Sequence, residues 1–356
     1  MRRLPIVLVL FAAAIPAAEA PAWPLWDGRE TVDQYAQRVN LPPTKTLDLG
    51  NGVKLELVLI PAGQFVMGTP APKEPRESPQ MLRVFFLLGA VLTFTLVMMI
   101  VIRAKVKRQR PKFSLRWLLA LVFALSSVLY GVVRMDMVYE AWREYTAAKA
   151  SLNSAEQPAH GVTLTTPFYM GKFPVTQEQY QQVMGTNPSV FNGKDNPVDQ
   201  ISWDDAHDFC KSLSGKSGQI VRLPTEAEWE FSCRAGTITA YYSGDMQTDL
   251  DRVGWYRSNS KSTTHGVGQK EANAFGLYDM HGNVRQWCQD WWQPDYYSKS
   301  PAEDPQGPAE GSARVLRGGC WDFLPWLCRS AYRLGLLPRG GGSYLGFRVV
   351  VPVKSK

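Results

Sequence analysis

The sequence predicts an α+β fold that is rich in loops, and three observations support this prediction. Short stretches alternate between apolar and polar residues, as in VKLELVLI (53–60), which is typical of strands with one buried face. Several short segments open with helix-capping signatures and close near a glycine. The chain also contains 29 glycines and 25 prolines, which favours many turns over a helical bundle.

The strand patterns predict one domain in two parts. VKLELVLI (53–60) is followed by PAGQFVMG (61–68), and the Pro-x-Gly turn between them predicts a β-hairpin. The next strand pattern begins only at Gly161. We therefore expect a short linker with a helix, an insertion, and a domain that lies on both sides of the insertion. The predicted linker is 21–48, the domain parts are 49–69 and 160–353, and the insertion is 70–159.

Three helices are predicted from their first residues. Each predicted start has a serine or threonine followed three positions later by an acidic or amide side chain, which is the capping-box pattern. In this pattern each of the two side chains accepts a hydrogen bond from the backbone N–H of the other residue. The pairs are Thr176 and Gln179, Ser202 and Asp205, and Thr225 and Glu228.

The insertion contains two apolar runs, 84–102 and 117–133, with a short basic loop between them. Each run lacks charge and approaches the ~20 residues that span a bilayer. Helices that are apolar on every face are unusual in a globular domain. We therefore expect a two-helix transmembrane hairpin, with the lipid bilayer as a partner. The positive-inside rule places loop 103–116 in the cytoplasm and the folded domain on the extracytoplasmic side.

The charge distribution argues against nucleic-acid binding. The chain has 39 basic and 32 acidic residues, a net charge of +7. Loop 103–116 carries seven basic residues and no acid, so the remainder is close to neutral. At the N-terminus, a basic start, an apolar run and Ala18-Glu19-Ala20 predict a signal peptide or an N-terminal anchor over 1–20.

The five cysteines are an odd number, so an oxidising compartment would leave at least one of them unpaired within the chain. The sequence contains no CxxC motif, and its four histidines lack zinc-ligand spacing.

The motifs RLPTEAEWE (222–230) and GLYDMHGNV (276–284) belong to eight stretches that occur in order along the chain. Together these stretches resemble the sulfatase-modifying-factor or formylglycine-generating-enzyme (FGE) family. RLPTEAEWE together with GLYDMHGNV is the most specific part of the resemblance. It implies the FGE-like fold, which is related to the C-type lectin fold and agrees with the loop-rich prediction. The stretches are IPAGQFVMG (60–68), PFYMGKFPVTQEQY (167–180), NPVDQISWDDAHDFC (196–210), VRLPTEAEWEFSCRAG (221–236), NAFGLYDMHGNVRQWCQDWW (273–292), VLRGGCW (315–321), CRSAYR (328–333) and LGFRVV (345–350).

The resemblance raises the question of whether this chain has the two copper-binding cysteines of the family. Oxidising members of the family hold copper(I) with two cysteines five positions apart after a Gly-Gly turn, and two thiolates suit this soft ion. Counting forward from the turn at 318–319 places the family's pair on Phe323 and Cys328. Counting back from the later Gly-Phe-Arg motif places it on Cys320 and Pro325. Neither count gives two cysteines.

Three interpretations of Cys320 and Cys328 follow. Cys328 is a remnant of an active site whose oxidase chemistry is lost, or the two cysteines form a rearranged copper pair or a disulfide, or both are buried packing residues. Cys328 and Cys320 are thus the candidate catalytic and copper-binding residues.

The resemblance also implies a calcium loop on GNVRQW (282–287), with Asn283, the Val284 carbonyl and Gln286 as ligands. Family members usually have glutamate where this chain has Gln286, so one negative charge is missing and calcium affinity should fall. The alternative is a turn held by hydrogen bonds of Asn283. The family's histidine-ligated iron site is not expected, because the helical histidine pair that it needs is absent from the sequence.

We expect a membrane-anchored, extracytoplasmic FGE-like domain that recognises a peptide or another ligand, with the oxidase chemistry lost or altered. The alternative is a copper-dependent oxidase that forms formylglycine from a sulfatase cysteine, and a third possibility is a structural envelope protein. The expected partner is a secreted sulfatase or another exported protein.

Overall fold

The computed structural model describes residues 23–70 and 154–353, together with a few isolated positions between them. The predicted signal peptide or anchor at 1–20 lies outside the described residues. Contacts divide the chain into two units. The larger one comprises 23–67, 160–296 and 300–353 of the described residues, and the smaller one lies within 68–159 and 297–299.

The elements of the larger unit are short, as its many turns require. The strands are β1 (Thr44–Gly50), β2 (Val53–Ile60), β3 (Gly63–Met67), β4 (His160–Leu164), β5 (Phe168–Gly171), β6 (Gly254–Trp255), β7 (His281–Gly282), β8 (Arg285–Trp291), β9 (Arg314–Arg317), β10 (Arg333–Leu336), β11 (Leu345–Gly346) and β12 (Val350–Pro352). The helices are α1 (Val32–Val39), α2 (Gln177–Met184), α3 (Trp203–Ser217), α4 (Glu226–Arg234) and α5 (Gln247–Val253).

Two four-stranded sheets organise the larger unit. One has the order β1-β2-β5-β12 and is antiparallel throughout. The other has the order β10-β9-β8-β11, with β11 parallel to β8. The short parallel pair of β6 and β7 leads into the start of β8. The second sheet and this pair carry the candidate site, because the Gly-Gly turn follows β9 directly.

The predicted hairpin of 53–60 and 61–68 is wrong in its pairing, although both segments are strands. Strand β2 pairs with β1 and β5, whereas β3 pairs with β4. Alternation of apolar and polar residues identifies a strand and its buried face, but not its partner. The last pair of the β3–β4 register joins Met67 to His160.

The segment 21–48, predicted as a linker with a short helix, contains α1 and most of β1. Helix α1 has its own capping box, in which Gln34 N–H donates to Thr31 Oγ1 and Thr31 N–H donates to Gln34 Oε1. The helix buries Tyr35, Ala36 and Val39 in the main core of the unit.

The three predicted capping boxes are confirmed. In α2, α3 and α4 the capping hydroxyl accepts from the N3 amide, and the N3 side chain accepts from the capping residue's own amide. The α4 cap is the most buried, since Thr225 is 1% exposed. Its partner Glu228 is also held by Arg222 through two hydrogen bonds of 2.7 Å.

Thr225→Ala should lower the free energy of unfolding by about 1–2 kcal/mol, because the first turn of α4 loses its side-chain acceptor in a place that water does not reach. Urea denaturation measures this loss. The matched control is Thr248→Ala, since Thr248 is exposed inside α5 and caps nothing. Equal stability of the two variants would contradict the role of this cap.

The predicted two-helix transmembrane hairpin is contradicted. Among the residues that the structure describes, no helix combines the length and the apolar character that a bilayer crossing needs. The predicted spans, 84–102 and 117–133, fall almost wholly outside those residues. The prediction used only length and hydrophobicity, which do not distinguish a bilayer span from other apolar segments. The membrane location, the bilayer as a partner, the cytoplasmic loop 103–116 and the extracytoplasmic domain lose their basis with it.

Candidate functional site

The Gly-Gly turn after β9 lies directly against Cys328. Gly318 and Gly319 have φ angles of +93° and +71°, a region that side chains other than glycine rarely adopt. A Cβ atom on Gly319 would lie 2.5 Å from the Cys328 sulfur and 2.8 Å from its Cα. The Gly318 carbonyl also accepts a hydrogen bond of 2.6 Å from the Gly282 amide of β7. The turn therefore fixes the position of Cys328 against the β7–β8 region.

The structure brings the two predicted cysteines together but leaves both as free thiols. Each is fully buried. The backbone of Cys320 lies close enough to the Cys328 sulfur to influence the pKa of that thiol. Burial raises the pKa of the Cys320 thiol to about 11, and it raises the pKa of Cys328 further. Both sulfurs are therefore protonated at neutral pH, and the disulfide alternative is not formed.

Phe323 and Pro325, the two positions that replace a family cysteine in the two counts, have structural roles. Phe323 is half-buried and packs against the apolar cluster that contains Cys328. Pro325 opens a single 3₁₀ turn, and its carbonyl accepts from the Cys328 amide at 2.9 Å and from the Tyr241 hydroxyl at 2.9 Å. The forward count therefore places Phe323, and not a second thiol, beside Cys328.

His281 is a residue of this site that the sequence analysis missed. Its Nδ1–H donates to the Cys328 carbonyl at 2.8 Å, and its Nε2 accepts from the Tyr242 amide at 3.1 Å. The Cys233 sulfur lies 3.8 Å from the same Nε2. Burial lowers the pKa of His281 to about 4, so the ring is neutral near pH 7. His281 thus positions the backbone of Cys328, a role that zinc-ligand spacing could not reveal.

Arg285 is the second residue that the sequence analysis missed. Its guanidinium carbon lies 3.6 Å from the centre of the Phe323 ring and 5.7 Å from that of Tyr344. The residue is 8% exposed, and burial lowers its pKa. The sequence feature that could have identified Arg285 was its position in the GNVRQW stretch, two residues after the predicted ligand Asn283. The site thus combines a stacked cation with two neutral thiols.

The residues of the predicted calcium loop are committed to other partners. Gln286 Oε1 accepts from Trp229 Nε1 at 2.8 Å and from the Arg348 guanidinium at 2.6 Å. Asn283 has a φ of +58°, its Oδ1 accepts from the His265 amide, and its Nδ2 donates to the His265 carbonyl. Two donors, one of them a cation, occupy the Gln286 oxygen, so this side chain does not fit a calcium ligand. Calcium binding stays a prediction without support from this geometry, which agrees better with the turn held by Asn283.

Comparison with known proteins gives the family. Residues 127–353, well over half of the chain, match the family described as "Sulfatase-modifying factor enzyme 1-like domain". The chain belongs to this family. The resemblance recognised in the sequence is thereby confirmed, and the loop-rich α+β arrangement of the larger unit is the fold of the sulfatase-modifying factor family.

Three relatives show how the family varies. The "Chaperone protein LppX" of Paenibacillus barcinonensis is 29% identical over 292 residues, which cover 66% of this chain and 98% of the relative. The "Formylglycine-generating enzyme" of Streptomyces coelicolor is 36% identical over 182 residues, covering 46% of this chain and 55% of that enzyme. The solved structure of "Treponema denticola variable protein 1" has a TM-score of 0.61 at 26% identity and covers 88% of this chain and 100% of that one. The chain thus matches only about half the length of the curated formylglycine-generating enzyme.

Proposed function

We propose that this member of the sulfatase-modifying factor family is a recognition domain for a peptide or another ligand, in which the oxidase chemistry is lost. The observation that carries the proposal is the state of the two cysteines. Both are fully buried and both thiols are protonated at neutral pH. A formylglycine-generating oxidase must instead bring a substrate cysteine to two copper-bound thiolates.

The donor set does not fit such a copper site. Copper(I) binds thiolates and not thiols, so binding would have to remove two protons whose pKa values burial has raised. The substrate would also need a path to the metal, and neither sulfur has an exposed surface. At the position where the forward count expects the partner of Cys328, Phe323 offers no ligand. These features support loss of the oxidase chemistry.

The surface around the Gly-Gly turn supports a role in recognition. Trp326 is 48% exposed, although tryptophan is usually buried, and Trp321 and Tyr332 in the same part of the chain are half-buried. Aromatic side chains with an accessible face are frequent at protein interfaces. The relative that this chain matches over nearly its whole length is named a chaperone, which also favours a protein ligand. A sulfatase remains the candidate partner that the family's name suggests.

One observation favours the alternative, a copper-dependent oxidase. Cys320 influences the pKa of the Cys328 thiol, so the two cysteines are neighbours despite their spacing of eight positions. A rearranged pair would require both thiols to ionise.

Copper(I) titration under anaerobic conditions separates the two functions. The wild-type protein should bind copper(I) weakly against a competing chelator and should not oxidise a Cys-x-Pro-x-Arg peptide, as followed by mass spectrometry. Phe323→Cys should raise copper(I) affinity by orders of magnitude, because it places a second soft ligand beside Cys328. Phe323→Ser is the matched control, since it opens the same space without a thiol. Tight wild-type binding that Cys328→Ser abolishes, with oxidation of the peptide, would overturn the proposal.

A further inference from the structure

We propose that Arg285 anchors a carboxylate group of the ligand, with Phe323 and Tyr344 forming the walls of the subsite. This inference rests on the proposed function, because it assigns the recognition surface to the face around the Gly-Gly turn. It names a chemical class, a monoanionic carboxylate next to an apolar or aromatic group.

The first argument is that Arg285 has no oxygen partner. Among the residues that the structure describes, its guanidinium makes no hydrogen bond and no ion pair, although it is 8% exposed. The other arginines with comparable burial all have carboxylate or carbonyl acceptors. They are Arg234, Arg317, Arg333 and Arg348. A guanidinium left without acceptors in a largely buried position costs free energy, which a bound anion would recover.

The second argument is that the donors remain reachable. None of the Arg285 nitrogens is among the fully buried polar atoms that lack a partner, so the end of the side chain meets solvent. Stacking on Phe323 at 3.6 Å fixes the plane of the guanidinium. A planar fork held in one orientation presents two parallel N–H groups, the geometry that binds a carboxylate through two hydrogen bonds.

The third argument concerns the charge of the ligand. Arg257, a second cation that acts on Cys320, is already paired with an anion, since its Nε donates to the Asp322 carbonyl at 2.9 Å and lies 3.3 Å from the Asp322 carboxylate. The two cysteines nearby are neutral thiols. The site therefore offers one net positive charge with a carboxylate at its edge, which suits a monoanion better than a dianionic phosphate. The half-buried Phe323 and Tyr344 rings suit an apolar neighbour of that carboxylate.

The experiment uses two probes that differ only in charge, N-acetylphenylalanine and N-acetylphenylalaninamide. NMR of the arginine Nε–H groups in the wild-type protein should show the Arg285 signal moving with the acid and not with the amide. Arg285→Gln should weaken binding of the acid about tenfold or more, the loss expected for a charge-assisted pair. Arg339→Gln removes an equal charge from a fully exposed side chain and should leave the affinity unchanged.

Further probes locate the carboxylate. N-acetyl-aspartyl-phenylalaninamide presents a side-chain carboxylate and N-acetylphenylalanine a terminal one, and binding of either supports the proposal. Equal binding of acid and amide, no shift of the Arg285 signal, or tighter binding of phenyl phosphate would overturn it. The wild-type NMR titration keeps the test valid if Arg285→Gln fails to fold. The peptide-oxidation assay tests the proposed function separately. A protein that neither oxidises the peptide nor binds carboxylates would refute this inference but not the proposed loss of oxidase chemistry.

Discussion

Replacing Glu226 with glutamine should lower the free energy of unfolding by about 3–5 kcal/mol, the usual cost of leaving a buried charge without its partner. The Glu226 carboxylate accepts two hydrogen bonds of 2.6 Å from Arg333 and lies 3.5 Å from a nitrogen of Arg317. All three side chains are at most 2% exposed. Glutamine keeps the size of the side chain but removes the charge that both guanidinium groups face.

Urea denaturation measures this loss, and the chain offers a matched control. Glu56→Gln removes a carboxylate whose partner, Lys172 at 3.0 Å, is a third exposed, so it should cost about 0–1 kcal/mol. Combining Glu226→Gln with Arg333→Met should recover part of the loss, because the buried cation that faces the new amide in the single variant is removed as well. Arg317 also pairs with the buried Glu230. A Glu226→Gln variant as stable as Glu56→Gln would show that the remaining partners of Arg333 and Arg317 are sufficient for these two cations.

Local interactions are the part of this fold that the sequence reveals. The capping boxes at Thr176, Ser202 and Thr225 join residues three positions apart, so their pattern is visible in the sequence and all three are confirmed. The hairpin prediction failed because the partner of β3 is β4, on the far side of the insertion. Nothing in the alternation of a strand encodes such a distant partner.

The residues of the candidate site also separate into those that the sequence reveals and those that only the fold brings together. Cys320 and Cys328 were found because they stand close to a recognisable Gly-Gly turn, and the structure places them side by side. Arg285 was missed because its surroundings are built by Phe323 and Tyr344, which follow later strands. The buried pair of Glu226 and Arg333 was missed for the same reason, since the two residues lie 107 positions apart.

Gly319→Ala should lower the free energy of unfolding by about 2–5 kcal/mol. Two effects add up. An L-residue at a φ of +71° costs about 1–2 kcal/mol, and an extra methyl group in a filled space costs about 1–3 kcal/mol. The space is filled by the Cys328 sulfur at 2.5 Å, the Cys328 Cα at 2.8 Å and the Leu327 carbonyl oxygen at 2.9 Å. The variant should therefore push the segment that carries Cys328 away from the turn.

Thermal denaturation and thiol labelling together test this expectation. Gly28→Ala is the control, because Gly28 has a φ of +77° and no atom within 4 Å of its Cβ position, so it carries the backbone strain alone. Adding Cys328→Ala to Gly319→Ala should give little rescue, since two of the three blocking atoms belong to the backbone. Cys328 should react with a thiol reagent in Gly319→Ala at concentrations that leave the wild-type thiol intact. A loss no larger than that of Gly28→Ala, with Cys328 still protected, would mean that the turn and Cys328 are not packed as described.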